Sequence, residues 1–323
     1  MIKQKNGINF RNLCIDPTRS PTDKNVIFTH AHADHVKFSD KSNFFATPPT
    51  IDLIKKRFFR KKTKFNEINF FSKKTFDDFE LELYPNGHIL GSSQLKIFNN
   101  KEIVVTSDFR LQDSLFFKGA IPLPSETLVL ETTFGSPIYK FPKYFDVVSE
   151  MVSWISKEAK NNLVLLSGYS LGKAQELTKI SNEAGFTPLV YESIFEMNKI
   201  YSSNNINLGD YELLDHNLKD FSVLIMPPQL VNKFLLSTLK EFDSRKIVSA
   251  LATGWSFARG YDKLFPLSNH ADFNDLVSYV EQSNPKIVLT DHGFCEEFSR
   301  KLNRLGYNSK PLKNHKQQVL FDF

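Results

Sequence analysis

Apolar and polar residues alternate along Phe79-Glu-Leu-Glu-Leu-Tyr84, which predicts a half-buried β-strand. Gln94-Leu-Lys-Ile-Phe98 and Ile103-Val-Val-Thr106 flank Asn99-Asn100-Lys101 and predict a hairpin. Val26-Ile-Phe28 and Thr127-Leu-Val-Leu-Glu131 are short apolar runs, as in strands buried on both faces. A proline and glycine cluster from Gly135 to Pro142 then changes the regime. From about Tyr144 strands alternate with helices: Leu163–Leu166 precedes a helix over Leu171–Ala184, and Val223–Met226 precedes one over Leu230–Lys240. Such alternation predicts a parallel α/β unit. The tail repeats it with a strand over Lys286–Thr290 and a helix carrying Phe294, Phe298, Leu302 and Leu305 on one face, stopped by Gly306. The expected organisation is a sheet-rich domain from residues 1–144 and 254–323, with an α/β cassette, 145–253, inserted between them.

At 323 residues the chain exceeds the size at which single cores tend to split. Its 41% hydrophobic and 24% charged residues suit a soluble globular protein, and no run approaches the roughly 18 apolar residues of a membrane span. The start is polar and lysine-bearing, unlike a secretory signal, so no membrane partner is expected. Cys14 and Cys295 cannot form a disulfide framework, and a reducing cytoplasm is the expected compartment. The 31 phenylalanines are scattered, as core filling requires. A net charge of +5 permits a polyanionic partner without demanding one. The densest basic run, from Lys55-Lys56-Arg57 through Arg60-Lys61-Lys62 to Lys64, fits a solvated helix end and a phosphate contact equally well.

Candidate chemistry concentrates in Thr29-His30-Ala-His32-Ala-Asp34-His35, directly after the first buried strand. Only 8 histidines occur in the chain, so three within six residues point to metal binding. Imidazole and carboxylate suit zinc, manganese or iron; His30 and His32 can hold one ion, and Asp34 and His35 a second. His88 lies between Gly87 and Gly91 after the alternating strand, where it is a ligand candidate. Asp108, closing the hairpin's second strand, can bridge two cations or form a turn. Asp16, before Pro17, can accept the N–H of a metal-bound imidazole or make an Asp-Pro turn.

These segments, THAHADH, GHILGS and SDF, resemble the metallo-β-lactamase superfamily. The acid in LVLET and the histidines in SNHAD and TDHG resemble the three additional motifs of its β-CASP nuclease branch, and SGYSLGKAQEL, MPPQ and TGWSFARG resemble ligase-associated DNA exonucleases and mRNA 3′-end processing factor-like proteins. The resemblance runs from Asp16 to beyond His292 and implies an αβ/βα sandwich with an inserted β-CASP-like cassette. It implies that His30, His32 and His88 hold one metal, that Asp34, His35 and His292 hold another, and that Asp108 bridges them. Glu131 and His270 would sit beside the scissile phosphate. The last motif reads Thr-Asp-His-Gly where the family has Thr-His-Gly, so Asp291 is an extra residue or marks a register change.

Two cations can generate a nucleophile at neutral pH and stabilise a charged phosphodiester transition state. Zinc is the expected occupant, with manganese as an alternative. Catalytic duty is expected of Asp34 and of His270 as a proton donor held by Glu131. Lys173 at a helix start, with Trp255 and Arg259 further on, are candidate substrate contacts; an ordinary strand-to-helix turn, and a buried tryptophan with a salt-bridged arginine, are the alternatives. The leading expectation is a DNA exonuclease in repair, associated with a DNA ligase or other repair proteins as the resemblance implies. An RNA-processing nuclease, a small-molecule metallo-hydrolase and a non-enzymatic scaffold are the competing readings.

Overall fold

A computed structural model describes residues 2–214, 218–255 and 260–312. These divide into two compact units. One takes residues up to Asp113, Phe117–Lys140 and those from His270 onward; the other takes Ser114–Phe116 and Phe141–Asn269.

The first unit contains two mixed sheets. In one, the strands run in the order Lys3–Gln4, Ile8–Phe10, Leu13–Ile15, Asn25–Ile27, Asn43–Ala46 and Phe65–Glu67. In the other the order is Ser309–Pro311, Ile287–Asp291, Thr127–Glu131, Glu102–Val105, Ser93–Phe98, Phe79–Pro85 and Lys73–Phe76. The predicted hairpin is present, with Phe98 opposite Glu102. Because side chains alternate along a strand, each sheet has two faces to bury. Ile15, Ile27 and Phe45 meet Leu81, Leu83, Leu95, Ile97, Val105 and Val129 in a core shared by both sheets. The opposite-facing Val104, Leu128, Leu130 and Val288 pack with Leu276, Tyr279 and Val280 of the helix Phe273–Ser283 and with Phe298 and Leu302 of the helix Cys295–Arg304. Phenylalanines fill one flank of the other sheet, where Phe28 stacks on Phe44 at 5.5 Å and Phe38 meets Phe44 edge-on at 5.3 Å. This layering is the expected α/β sandwich.

The second unit is built on a parallel sheet in the order Glu212–Leu213, Leu189–Val190, Val223–Met226, Leu163–Ser167, Ile247–Ala252 and Lys263–Phe265. Helices pack on both faces, so its central strands Leu163–Ser167 and Val223–Met226 are almost wholly apolar. Val164, Leu166, Val223 and Ile225 join one core and Leu163, Leu165, Leu224 and Met226 the other. The strand Lys263–Phe265 extends this sheet beside Ile247–Ala252, which carries the cassette past the expected end at residue 253. The helix expected over 230–240 instead spans Lys233–Phe242, because the Asn232 side chain accepts the Leu235 N–H and fixes the start there. No described helix is long and apolar enough to cross a membrane.

Candidate metal centre

The metal-type side chains gather where strands of the first unit end. Asn25–Ile27 leads into the loop that carries His30, His32, Asp34 and His35, and a turn from His35 N–H to the His32 carbonyl, 3.2 Å, folds it back. Asp16 follows Leu13–Ile15, and Asp108 follows Glu102–Val105. His88 stands between two glycines in left-handed backbone, Gly87 with φ 74° and Gly91 with φ 74°. A side chain at Gly91 would begin 2.7 Å from the Thr50 backbone nitrogen, so the loop closes only around glycine. Asn86 secures this corner: its amide donates to the Asp108 carbonyl at 2.8 Å and its oxygen accepts from the His88 N–H at 3.3 Å.

Asp108 Oδ2 is the convergence point. It lies 3.6 Å from His30 Nε2, 3.4 Å from His35 Nε2 and 4.0 Å from His88 Nε2, while His88 Nε2 is 3.2 Å from His32 Nδ1. Ligand atoms of His30, His32, His88 and Asp108 all fall within 4.8 Å of one another. His30 is fully buried, and its Nε2 has no hydrogen-bond partner. An unsatisfied buried nitrogen is costly in a folded protein, and a bound cation would satisfy it. The residues present therefore fit a metal.

Asp34 Oδ2 lies 3.5 Å from His35 Nε2, and the His292 ring stacks on His35 with centroids 5.3 Å apart. Asp291 closes the strand Ile287–Asp291 in register with Glu131, and its Oδ2 lies 3.1 Å from His292 Nδ1 while its Oδ1 accepts from Gln4 at 2.9 Å. The Asp291 charge, opposed by burial, lifts the His292 pKa to about 9.

Asp16 packs among the loops that carry these side chains. Its carboxylate accepts the Thr29 N–H at 2.8 Å and the Ser107 hydroxyl at 2.8 Å, and contacts His35 Nδ1 at 3.1 Å, leaving His35 Nε2 toward Asp108. Thr29 and Ser107, 2.6 Å apart through their hydroxyls, are not legible as site residues. Nothing distinguishes such hydroxyls from ordinary loop residues in a sequence. Three site positions, Asp16 with φ 47°, Ser107 with φ 49° and His292 with φ 60°, adopt left-handed backbone that non-glycine residues avoid. Such strain collects where surrounding structure over-determines a functional geometry.

Electrostatics follow the packing. Burial drives the His30 pKa well below the usual histidine value, which favours the neutral imidazole. Burial opposes ionisation of Asp108, but His35 and His270 outweigh it and hold the carboxylate well below the usual range. The structure brings Glu131 and His270 together, with His270 Nδ1 3.1 Å from Glu131 Oε1. The other oxygen, Oε2, accepts the Thr133 N–H at 2.7 Å, so the carboxylate is fixed at both ends. The His270 ring lies 4.7 Å from that of His88.

The expected substrate contacts fare differently. The helix Lys173–Glu183 begins at Lys173, whose buried Nζ donates to the Leu267 carbonyl at 2.6 Å. Gly172 N–H is satisfied by the Gln175 side chain at 2.6 Å, and Ala174 N–H by the Tyr169 carbonyl at 3.0 Å. The ammonium and those two amides are thus committed to the cassette's own fold, which corrects the expectation of open anion donors there. Trp255 is half-buried, and Arg259 lies outside the described residues.

No protein-family model matches this chain. Among curated proteins it is 29% identical over 292 residues to a probable DNA ligase of Opitutus terrae, covering 88% of this chain and 28% of the ligase. It is 27% identical over 281 residues to a probable RNase of Methanocaldococcus jannaschii, covering 70% of this chain and 64% of that protein. A DNA cross-link repair 1A protein of Mus musculus is 22% identical over 289 residues, 81% of this chain and 28% of the relative. The chain thus spans less than two thirds of the length of each. A crystal structure of an Enterococcus faecalis protein of unknown function superimposes with a TM-score of 0.64 at 14% identity, covering 91% of this chain and 80% of that one, a likeness of fold. This fold, the histidine and aspartate cluster and these relatives support the metallo-β-lactamase-fold family, in its β-CASP branch, which the sequence motifs resemble.

Proposed function

We propose that this chain is a two-metal phosphodiesterase that hydrolyses DNA, acting as an exonuclease in repair. The observation that carries the reading is Asp108 Oδ2, set within 4.0 Å of Nε2 atoms from His30, His35 and His88. In this reading the carboxylate would serve two ligand sets, His30, His32 and His88 for one ion and Asp34, His35 and His292 for a second. Bound divalent ions, zinc or manganese, would supply an activated water and neutralise the phosphate. The chain's own residues do the rest. Asp16 holds His35 in one orientation through Nδ1. Glu131, pinned by Thr133, orients His270 to move a proton to the departing sugar oxygen. A small-molecule hydrolase has no need of this additional acid–histidine pair.

DNA is favoured by the two relatives named for DNA ligation and DNA cross-link repair. The match to part of a probable DNA ligase also supports a ligase-type partner. RNA processing is the second reading, and the match across most of a probable RNase favours it. End-labelled single- and double-stranded DNA and RNA, incubated with the zinc- or manganese-loaded protein, separate these by their product ladders. Single-nucleotide products from DNA are expected. Intact polymers together with brisk hydrolysis of thioesters or lactones would sink the proposal.

A further inference from the structure

The basic run that follows the first helix is not used by the metal centre. The helix Pro48–Arg57 ends on Lys55, Lys56 and Arg57, and cations in a last turn are explained by the helix dipole. Arg60, Lys61, Lys62 and Lys64 lie past the end, where the dipole no longer accounts for them, and all four are exposed. No acidic residue occurs between Leu53 and Asn66, so seven basic residues stand in an uninterrupted positive stretch.

Phe59, in the middle of it, is the anomaly. The helix closes by an Arg60 N–H to Lys55 carbonyl bond of 3.0 Å, which puts Phe59 in left-handed backbone at φ 54°, a place where glycine is the usual residue. Its ring is 89% exposed, so no packing compensates the strain or the wetted apolar surface. The segment is also fastened to the metal-binding loop of the same unit. Arg57 Nη1 donates to the carbonyl of Ala31, between His30 and His32, at 3.0 Å. Arg60 lies 4.4 Å above the ring of Phe38, just beyond that loop.

We infer that residues 59–64 form a landing surface for a single-stranded stretch of polynucleotide: Phe59 stacks on an unpaired base while Arg60, Lys61, Lys62 and Lys64 contact the phosphates on either side. Unpaired bases offer the open π-face that a lone exposed ring needs, and cations spaced along a loop follow a flexible backbone. The attachment through Arg57 and Arg60 places this grip next to the loop that supplies four of the proposed metal ligands. The inference rests on the phosphodiesterase reading for its purpose, although strand binding is measurable without cleavage.

The test uses the full chain in chelator, so that nothing is cut, and reads fluorescence anisotropy of labelled oligothymidine and oligouridine across a salt series. Lys61→Ala combined with Lys62→Ala should lower the slope of log affinity against log salt by roughly 1.4, two contacts at about 0.7 each on a single strand. Phe59→Gly should weaken binding about 5-fold or more through lost stacking. Because glycine suits that backbone, it should leave the melting temperature unchanged or raise it. Loss on both strands indicates a shared backbone grip, and loss on one names the sugar; either supports the surface. Wild-type affinity and slope in both variants would overturn it, as would losses seen only with phosphatidylserine vesicles, which would make the patch a membrane contact. If metal-loaded protein hydrolyses neither polymers nor bis(p-nitrophenyl) phosphate while the variants still bind strands poorly, the surface stands and the phosphodiesterase reading falls. If the variants cleave and bind as wild type does, the surface alone falls.

Discussion

Asp108 and Asp275 belong to the same unit, and burial pushes both carboxyls toward the neutral form, yet their pKa values shift in opposite directions. Asp108 closes on a ring of imidazoles, and His35 and His270 hold it ionised well below the usual range. Asp275 sits in the first turn of the helix Phe273–Ser283, where burial and then the charge of Asp272 raise its pKa to about 6, against a smaller opposing bond from Gln112. Desolvation is common to both; the neighbours decide. A buried acid surrounded by bases is a site poised for cations, whereas a buried acid beside another acid is a local cost. The burial of a carboxylate alone therefore says little about function, and its neighbours say most of it.

The largest effect should come from breaking the compensated side. Asp108→Ala removes the oxygen facing both ligand sets, so elemental analysis should find both metals lost and cleavage abolished. Retention of one tightly held ion would show that the carboxylate does not bridge. Smaller, and different in kind, is His270→Ala. It should leave metal content intact while slowing cleavage by about 10²–10⁴, the usual value of an acid catalyst. An emptied metal site would instead make His270 a ligand. Asp16→Asn comes next, since Thr29, Ser107 and His35 all lean on that carboxylate. Metal affinity measured by chelator competition should fall roughly 10–100-fold, as for other supporting partners of metal-bound histidine. An unchanged affinity would reduce Asp16 to a turn residue.

Legibility in the sequence follows the same division between local and assembled features. The strands with clear periodicity and the hairpin at Asn99–Lys101 are legible, because neighbouring residues alone set their pattern. The histidine-rich loop stands out too, because histidine is scarce in this chain and three of its 8 copies fall between His30 and His35. The pairing of Glu131 with His270 is legible only through resemblance, for the two are 139 residues apart, one ending a strand and the other preceding the helix Phe273–Ser283. The roles of Thr29, Ser107 and Gln4 are invisible, since hydroxyls and amides act through a geometry that no spacing encodes. The cassette boundary escapes the sequence because Lys263–Phe265 is a three-residue strand with no pattern of its own, joined to its sheet only by pairing with Ile247–Ala252. Lys173 misleads because a glycine-bearing turn before a helix suggests open amides, and Gln175 closes one of them from within the helix.

The smallest expected effect tests the uncompensated side. Asp275 has a folded-state pKa near 6 against an ordinary value of 3.8, so the folded chain holds a proton that the unfolded chain releases between those values. Stability from this residue is therefore greatest below the unfolded value and is lost as pH rises through about 6. The backbone N–H of Asp275 is bonded to Asp272 at 2.9 Å, and that helix cap survives replacement of the side chain. Asp275→Asn should then match the wild type near pH 4 and exceed it above pH 6. The gain should be roughly 1–2 kcal/mol once the solvent reaching this half-buried carboxyl is allowed for. Melting curves for both proteins across that range decide the matter. Parallel curves would mean that Asp275 is ionised without cost, and that the contrast with Asp108 does not depend on which neighbours each acid has.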